Sequence, residues 1–488
     1  MPDKATTSSV RPGWASPNTV NSSTIFYTLN KTTKSNAIPG NRFAYLGATI
    51  RDGGIVTTQP QVSVTGYFTG GVGGSGPSTQ AQLAFGIQDT LNWSKGNHSI
   101  KLGGSYILNR YDETSAFLSS SKSTFSGGTT GNALADFLEG KANSFQQNNG
   151  GFHRLHASDL SLFAQDDWRA NRKLTLNLGL RWEVYYPFAG QNNFGTFIPG
   201  VQSVRFPTAP LGLLSSGDPG VPDGILKTSD LKFAPRVGFA YDLFGNGKAS
   251  LRGGYDIFYA ASQETLVGNL EQEPFTLAIT LNKTSNFVNP YAGIAPFNGV
   301  SPFPYVVNLS NSTVIASASL GGLKPGTSAI PYVQQYNLTF EQQRGNNWST
   351  RLAYVGSIGR RFYLARDQNS PIYAPGGLAT TAGLNARRPL KGYASIGLID
   401  PSSNSSYNSL QFTVTRRLAN RFSLLASYVW SKAMDNVSVD PGSATAYTLS
   451  NQYAASLDRG PLDSRSAASL RNLFSLSTTR LEALGIFW

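Results

Sequence analysis

Apolar and polar residues alternate along much of this chain. The clearest stretch runs from Leu174 to Tyr186. Leu174, Leu176, Leu178, Leu180, Trp182, Val184 and Tyr186 alternate there with Thr175, Asn177, Gly179, Arg181, Glu183 and Tyr185. Successive side chains of a strand point to opposite faces, so this segment predicts a β-strand with one fully apolar face. The pattern recurs in five strand-turn-strand units. The first places Leu83, Phe85, Ile87, Leu91 and Trp93 on one face, turns at Ser94-Lys95-Gly96-Asn97, and returns with Ile100, Leu102, Tyr106 and Leu108. The second descends through Leu160, Leu162, Ala164 and Trp168, turns at Ala170-Asn171-Arg172, and returns from Leu174. The third pairs Phe233, Val237, Phe239, Tyr241 and Leu243 with Leu251, Tyr255, Ile257 and Tyr259 around Gly245-Asn246-Gly247. The fourth pairs Tyr332, Tyr336, Leu338 and Phe340 with Trp348, Leu352, Tyr354 and Ile358 around Gly345-Asn346-Asn347. The fifth pairs Leu410, Phe412, Val414 and Leu418 with Phe422, Leu424, Ala426, Tyr428 and Trp430 around Ala419-Asn420.

Gly and Asn supply the positive φ that tight hairpins need. The connections between units are of another kind. They span about residues 112–157, 187–231, 260–331, 367–406 and 433 onward, and they are rich in Gly, Ser, Thr, Asn and Pro. Each exceeds the ~12–15 residues usual for a loop. Short turns on one side, long loops on the other and apolar/polar strands predict an all-β fold, an antiparallel transmembrane β-barrel with periplasmic turns and extracellular loops. Tryptophan placement agrees. Trp93, Trp168 and Trp348 sit beside short turns, and Trp182 and Trp430 lie several residues up the returning strands. Roughly eight residues at ~3.3 Å and a ~40° tilt span about 20 Å, near the separation of two aromatic girdles. Before the first unit, Thr24–Leu29, Arg42–Ile50 and Gln61–Phe68 have the character of strands, and Gly70–Gly76 reads as a flexible link.

Composition narrows the picture. The chain has 488 residues, 14% of them charged, a net charge of +13 and no Cys. No apolar run approaches the ~18 residues of a membrane-spanning helix, which leaves β-spans open. Lys and Arg are scattered, with pairs only at Arg360-Arg361, Arg387-Arg388 and Arg416-Arg417. That argues against nucleic acid as a partner, and attraction to an anionic lipid surface accounts for the charge. The first twenty residues contain no apolar core of a secretory signal.

Candidate chemistry is sparse. His153 and His156 lie three apart, with no Cys and no acidic pair to complete a four-ligand metal site. His98 follows a turn, where a turn role is expected. Asp166 and Asp167 are adjacent on a strand and face opposite sides, so they cannot flank one bond. Glu271 and Glu273 share a face only if their loop is extended. No nucleophile-elbow, zinc-protease or phosphate-loop pattern occurs. The reading is therefore of no enzyme, no cofactor, no metal and no catalytic residue, with the substrate-binding residues unassigned.

The stretch SLFAQDDWRANRKLTLNLGLRWE (161–183) resembles a signature of TonB-dependent outer-membrane receptors of the Oar-like type, abundant in Acidobacteria. GNALADFLEG (131–140), FAPRVGFAYDLFGNGKASLRGGYDIFY (233–259), PYVQQYNLTFEQQ (331–343) and SSYNSLQFTVTRRLANRFSLLASYVWSKAMDN (405–436) resemble the same family in the same order. The resemblance covers about residues 80–463. It implies a barrel of about 22 strands with an N-terminal plug, a β-sandwich before it, and a contact motif for the TonB complex. It also implies capture and import of a ligand (a siderophore, glycan, cobalamin or peptide) in the bacterial outer membrane. The N-terminal parts are not recognisable here, and about ten strands are evident. Residues 1–80 are thus expected to form an irregular N-terminal region, 81–463 the barrel portion and 464–488 an atypical tail after a frameshift. The chain reads as a fragment that does not transport alone. A secreted, soluble, β-rich carbohydrate-binding protein is the alternative, and a β-rich glycosidase a further rival lacking its carboxylate pair.

Overall fold

A computed structural model describes residues 4–35, 47–50, 59–71, 77–190, 195–260, 277–306, 320–325, 330–377, 380–419, 422–436, 449–461 and 472–480. The chain opens with β1 (Lys4–Val10), β2 (Gly13–Ser16), β3 (Thr19–Lys34), β4 (Gln61–Val64) and β5 (Phe68–Gly70). The first hairpin is β6 (Ser78–Lys95) and β7 (His98–Ser115). The short strands β8 (Lys122–Phe125) and β9 (Ser144–Asn148) flank the helix α1 (Ala133–Leu138). The second hairpin is β10 (Gly151–Arg169) and β11 (Leu174–Gly190), followed by β12 (Gly195–Phe197) and β13 (Leu213–Ser215). The third is β14 (Ser229–Asp242) and β15 (Ala249–Tyr259), followed by β16 (Ala278–Asn282) and β17 (Leu320–Leu323). The fourth is β18 (Tyr332–Arg344) and β19 (Trp348–Asp367), with α2 (Thr381–Ala386) behind it. The fifth is β20 (Ile396–Ala419) and β21 (Phe422–Asp435), followed by β22 (Gly460–Pro461) and β23 (Asn472–Arg480).

One 16-stranded sheet forms the wall, and its main path runs β1-β3-β6-β7-β10-β11-β14-β15-β18-β19-β20-β21-β22. β23 pairs with the lower part of β21. All neighbours on this path are antiparallel, and all five expected hairpins are present. Among the described residues, no pairing closes β1 onto β22 or β23. No helix among the described residues is long and apolar enough to cross a membrane, which says nothing of strands.

The turns are local chemistry. In the third hairpin the Asp242 carboxylate accepts the Gly245 and Gly247 N–H groups at 2.9 and 2.8 Å. Both glycines have positive φ, +75° and +70°, a region other residues avoid. The Gly247 N–H, with those of Gly245, Phe244 and Asn246, outweighs burial and holds the Asp242 carboxyl below its usual value. In the second hairpin Asn171 Oδ1 accepts the Lys173 and Leu174 N–H groups. Asn420, in the fifth turn, lies outside the described residues.

The wall has an inverted pattern of burial. Ser161, Ala234, Thr339, Ala353, Ser409 and Ser431 are buried, whereas Leu162, Phe233, Leu338, Leu352, Leu410 and Trp430 are exposed. The first set faces one side of the sheet and the second the other. Small residues crowd on a concave face, and large apolar ones spread over a convex face. A water-soluble protein hides such an apolar surface; a barrel in lipid presents it. Trp93 and Trp348 stand on the convex face at the short-turn end. The Lys95 ammonium lies over Trp93 at 5.4 Å and the Arg416 guanidinium over Trp348 at 5.4 Å, a placement suited to the lipid–water boundary.

The strands run further than the sequence suggests. Residues 112–115, 151–157, 187–190, 229–231 and 396–406, read as loop, belong to wall strands. Residues 4–34 form β1 to β3, and β3 pairs with β6 over sixteen positions from Thr19↔Trp93 to Lys34↔Ser78. Thr24–Leu29 lies within β3, and Gln61–Phe68 spans β4 and the turn into β5. Most of Arg42–Ile50, most of Gly70–Gly76 and residue 464 lie outside the described residues. In the tail, Asn472–Arg480 is a strand.

Candidate functional site

The long connections on one side of the wall are folded. β4 and β5 come from the connection between β3 and β6, β8 and β9 from that between β7 and β10, and β16 from that between β15 and β18. Together they make a five-stranded sheet, β16-β9-β8-β4-β5, in which β4 and β8 are parallel. Its apolar residues form two clusters. Ile50, Phe145, Leu277, Ile279, Leu281, Tyr291 and Phe303 pack together, and Val62, Val64, Phe125, Ala133 and Ala142 make the second. Neither Phe145 nor Ile279 could be buried by its own loop, so the loops are ordered by one another. The helix α1 is capped by Asn132, whose Oδ1 accepts the Leu134 and Ala135 N–H groups. Buried Asp136 accepts the Thr130 N–H and hydroxyl at 2.8 and 2.7 Å.

The connection between β11 and β14 turns inward. Leu214, Val221, Ile225 and Leu226 pack with Tyr111, Leu155 and Ala157 on the concave side of the wall, and with Leu323 and Tyr363. This segment therefore folds over the concave mouth at the long-loop end. Asp218 organises it. Its carboxylate accepts the Val204, Arg205 and Ser215 N–H groups at 2.8, 2.9 and 2.8 Å and the Ser203 hydroxyl at 2.7 Å. Burial opposes ionisation, yet the N–H groups and the hydroxyl prevail and hold the carboxyl below its usual value. A comparable knot ties β19 to β20. Buried Asn369 donates from Nδ2 to the Leu390, Tyr393 and Ala394 carbonyls and accepts the Leu390 N–H. Arg366 pairs with Asp400 beside it.

Below the mouth the concave face is polar. Arg181 Nε donates to Glu183 Oε1 at 2.6 Å. Asn109 donates to Asp159 at 3.2 Å, and at the level of the mouth itself Gln80 and Tyr111 donate to Glu113 at 3.0 and 2.6 Å. Nearer the short turns Arg252 and Arg351 flank Glu341 at 3.9 and 3.7 Å, in a cavity of about 580 Å³ that also meets Lys173 and Lys248. Such a surface offers hydrogen bonds of both senses to a passing polar solute.

The residues singled out from the sequence fall as follows. His153 is buried toward the concave side and His156 is exposed on the convex side, so they cannot share one ion. His98 Nδ1 lies 2.6 Å from Asp166 Oδ2, and its ring stacks on Trp168 at 5.4 Å. It anchors the short-turn girdle. Asp167 points the other way, to Asn177 at 2.6 Å. Glu271 and Glu273 lie outside the described residues. Sequence reasoning missed Asp218 and Asn369. The only signal for Asp218 was its turn-forming context, Asp218-Pro219-Gly220.

The chain matches the outer membrane beta barrel domain family over residues 12–479. In shape it is similar to the outer membrane transporter YddB from Escherichia coli, with 12% identity and a TM-score of 0.51, over 89% of this chain and 43% of that one. It is similar also to the siderophore receptor PiuA from Acinetobacter baumannii (9% identity, TM-score 0.43, 98% of this chain and 52% of that one). P. aeruginosa FpvA bound to heterologous pyoverdines shows 11% identity and a TM-score of 0.41, over 98% and 44%. The chain thus spans less than half the length of YddB. None of the curated proteins matches it. With its convex apolar face, its hairpin wall and a family match running nearly end to end, the chain belongs to the outer membrane β-barrel domain family and is a protein of the outer membrane.

Proposed function

We propose that this chain is the ligand-capturing wall and loop portion of a TonB-dependent, Oar-like import receptor. The observation that carries the reading is the inward-folded connection. Leu214, Val221, Ile225 and Leu226 seat on the concave wall, so a structured surface, not a set of free loops, stands over the mouth. Connections 112–157, 187–231 and 260–331 supply this capture surface. Arg181 and Glu183 lie on the route beneath it. Capture needs no covalent step. Import would draw its energy from the inner-membrane TonB complex, as a property of the whole receptor. The YddB likeness supports the barrel fold, and the reading of transport rests on the resemblance of the five ordered stretches.

The test is binding by the full chain in vesicles against a ferric siderophore, an oligosaccharide, cobalamin and a peptide, each fluorescently followed. One class is expected to bind, and to be lost when residues 199–226 are replaced by a short Gly-Ser linker. Binding that survives the replacement, or no binding by any class, overturns the assignment of the capture surface.

A further inference from the structure

We propose that the concave wall near the short turns holds a binding site for a small solute that carries two or more phosphate charges. The site rests on the barrel wall and not on the capture surface above it.

Strand register builds the site. Ser250, Glu341, Arg351 and Thr413 are successive cross-strand partners on β15, β18, β19 and β20. Neighbouring strands lie ~4.8 Å apart, so these four side chains stand in one row on the concave face. Arg252 occupies the next concave position above the row, and the partners Ser349 and Thr415 the next below it. Lys248 and Lys173 close the lower side from the third and second hairpins. Lys173 leans across the turn at Gly245, where a Cβ would come within 2.8 Å of its Cε. The glycine thus makes room for the lysine stem.

The charge is one-sided. These residues line the cavity of about 580 Å³, whose wall carries five cations, Arg172, Lys173, Lys248, Arg252 and Arg351, against two carboxylates, Asp242 and Glu341. Asp242 directs one oxygen to the Gly245 N–H and the other to the Gly247 N–H. Glu341 stands 3.9 Å from Arg252 and 3.7 Å from Arg351, beyond hydrogen-bond length. The two arginine side chains are 59% and 50% exposed, so their N–H forks stay open to a solute.

This donor set selects the ligand. A guanidinium fork matches the geometry of a phosphate, and hydroxyls such as Ser250 and Thr413 add further donors. A phosphoryl group presents three strong acceptor oxygens and up to two charges, more than a carboxylate offers. The volume lies within the ~300–1,000 Å³ of small-molecule sites. The concave position faces away from lipid. It is also remote from the mouth. Tyr363, which packs against the inward connection, lies twelve residues along β19 from Arg351, about 30 Å at ~3.3 Å per residue and ~40° tilt.

The full chain in nanodiscs of phosphatidylcholine would be titrated calorimetrically with pyrophosphate, citrate and cellobiose. Pyrophosphate should bind, citrate about tenfold more weakly, and cellobiose not at all. Arg252→Gln with Arg351→Gln should weaken pyrophosphate about 25-fold, near fivefold for each cation. Glu341→Gln removes the competing carboxylate and should tighten it about threefold. Opposite signs at neighbouring positions do not arise from misfolding. In the unaltered protein pyrophosphate should block acylation of Lys173 and Lys248 and leave Lys95 reactive. Citrate or cellobiose binding as tightly as pyrophosphate, unchanged affinity in the arginine pair, weaker binding by Glu341→Gln, or equal protection of Lys95 would each overturn the proposal. Pyrophosphate binding should survive replacement of residues 199–226 by the Gly-Ser linker. Its loss there would place the anion at the mouth and overturn this site while leaving the capture surface standing; a capture surface that binds nothing, with pyrophosphate still held, fails the capture reading alone.

Discussion

Ser161 and Leu162 are neighbours on β10 and face opposite ways. Ser161 is 4% exposed, its hydroxyl 2.7 Å from that of Ser105, and Leu162 is 51% exposed. In water this is the wrong way round, because burying a leucine is worth ~2 kcal/mol and burying a hydroxyl costs unless it is paired. In lipid it is correct. Leu162→Arg should therefore destabilise the inserted protein by about 2–4 kcal/mol. Ser161→Ala should lose only the hydroxyl bond, about 1 kcal/mol. Urea unfolding in vesicles measures both, and an equal response would contradict the assignment of faces.

The convex face of the first strands departs from this rule. Asp89 of β6 shares the outward side with Ile87 and Leu91, and its carboxylate accepts from Asn21 Nδ2 at 3.0 and 3.2 Å and from the Ser23 hydroxyl. A polar group on the lipid face is unfavourable near the bilayer centre. Asp89→Leu is expected to raise the urea midpoint in vesicles. A lower midpoint would mean that the Asn21–Ser23–Asp89 cluster is shielded from lipid.

Asp218 should govern the inward connection. Its folded carboxyl titrates below the ordinary ~3.9, so its stabilisation is complete above that value and is lost as pH falls through the lower folded value. Asp218→Asn should remove about 2–3 kcal/mol, since bonds to a charged group are the strong ones. Limited proteolysis at neutral pH should then cut residues 198–226 faster while the wall stays intact. Cutting at the unaltered rate would show that the apolar seat alone holds the segment.

Asn369 should behave likewise for the β19–β20 connection. Asn369→Ala leaves three carbonyls and one N–H without their partner, a loss of about 3 kcal/mol. Backbone amides over residues 385–396 should exchange faster with solvent. The ion pairs Arg366–Asp400 and Arg388–Asp367, the second at 3.2 Å, lie beside it; protection equal to that of the unaltered chain would argue that they suffice.

The wall is legible in the sequence because its determinants are local. A period of two sets which face each residue takes, and Gly245, Gly247 and Asn171 set the turns within a few positions of themselves. The loop assembly was not legible. Leu281 pairs with Phe145 across two connections, Tyr291 reaches Gln147 144 positions away, and β17 lies parallel to β20. No periodicity encodes such meetings, because each loop becomes buried only against another loop. Alternation by itself determined a lipid-facing wall; only the tertiary structure decided that the connections fold over its mouth, since their order is bought by contacts that no single segment can make.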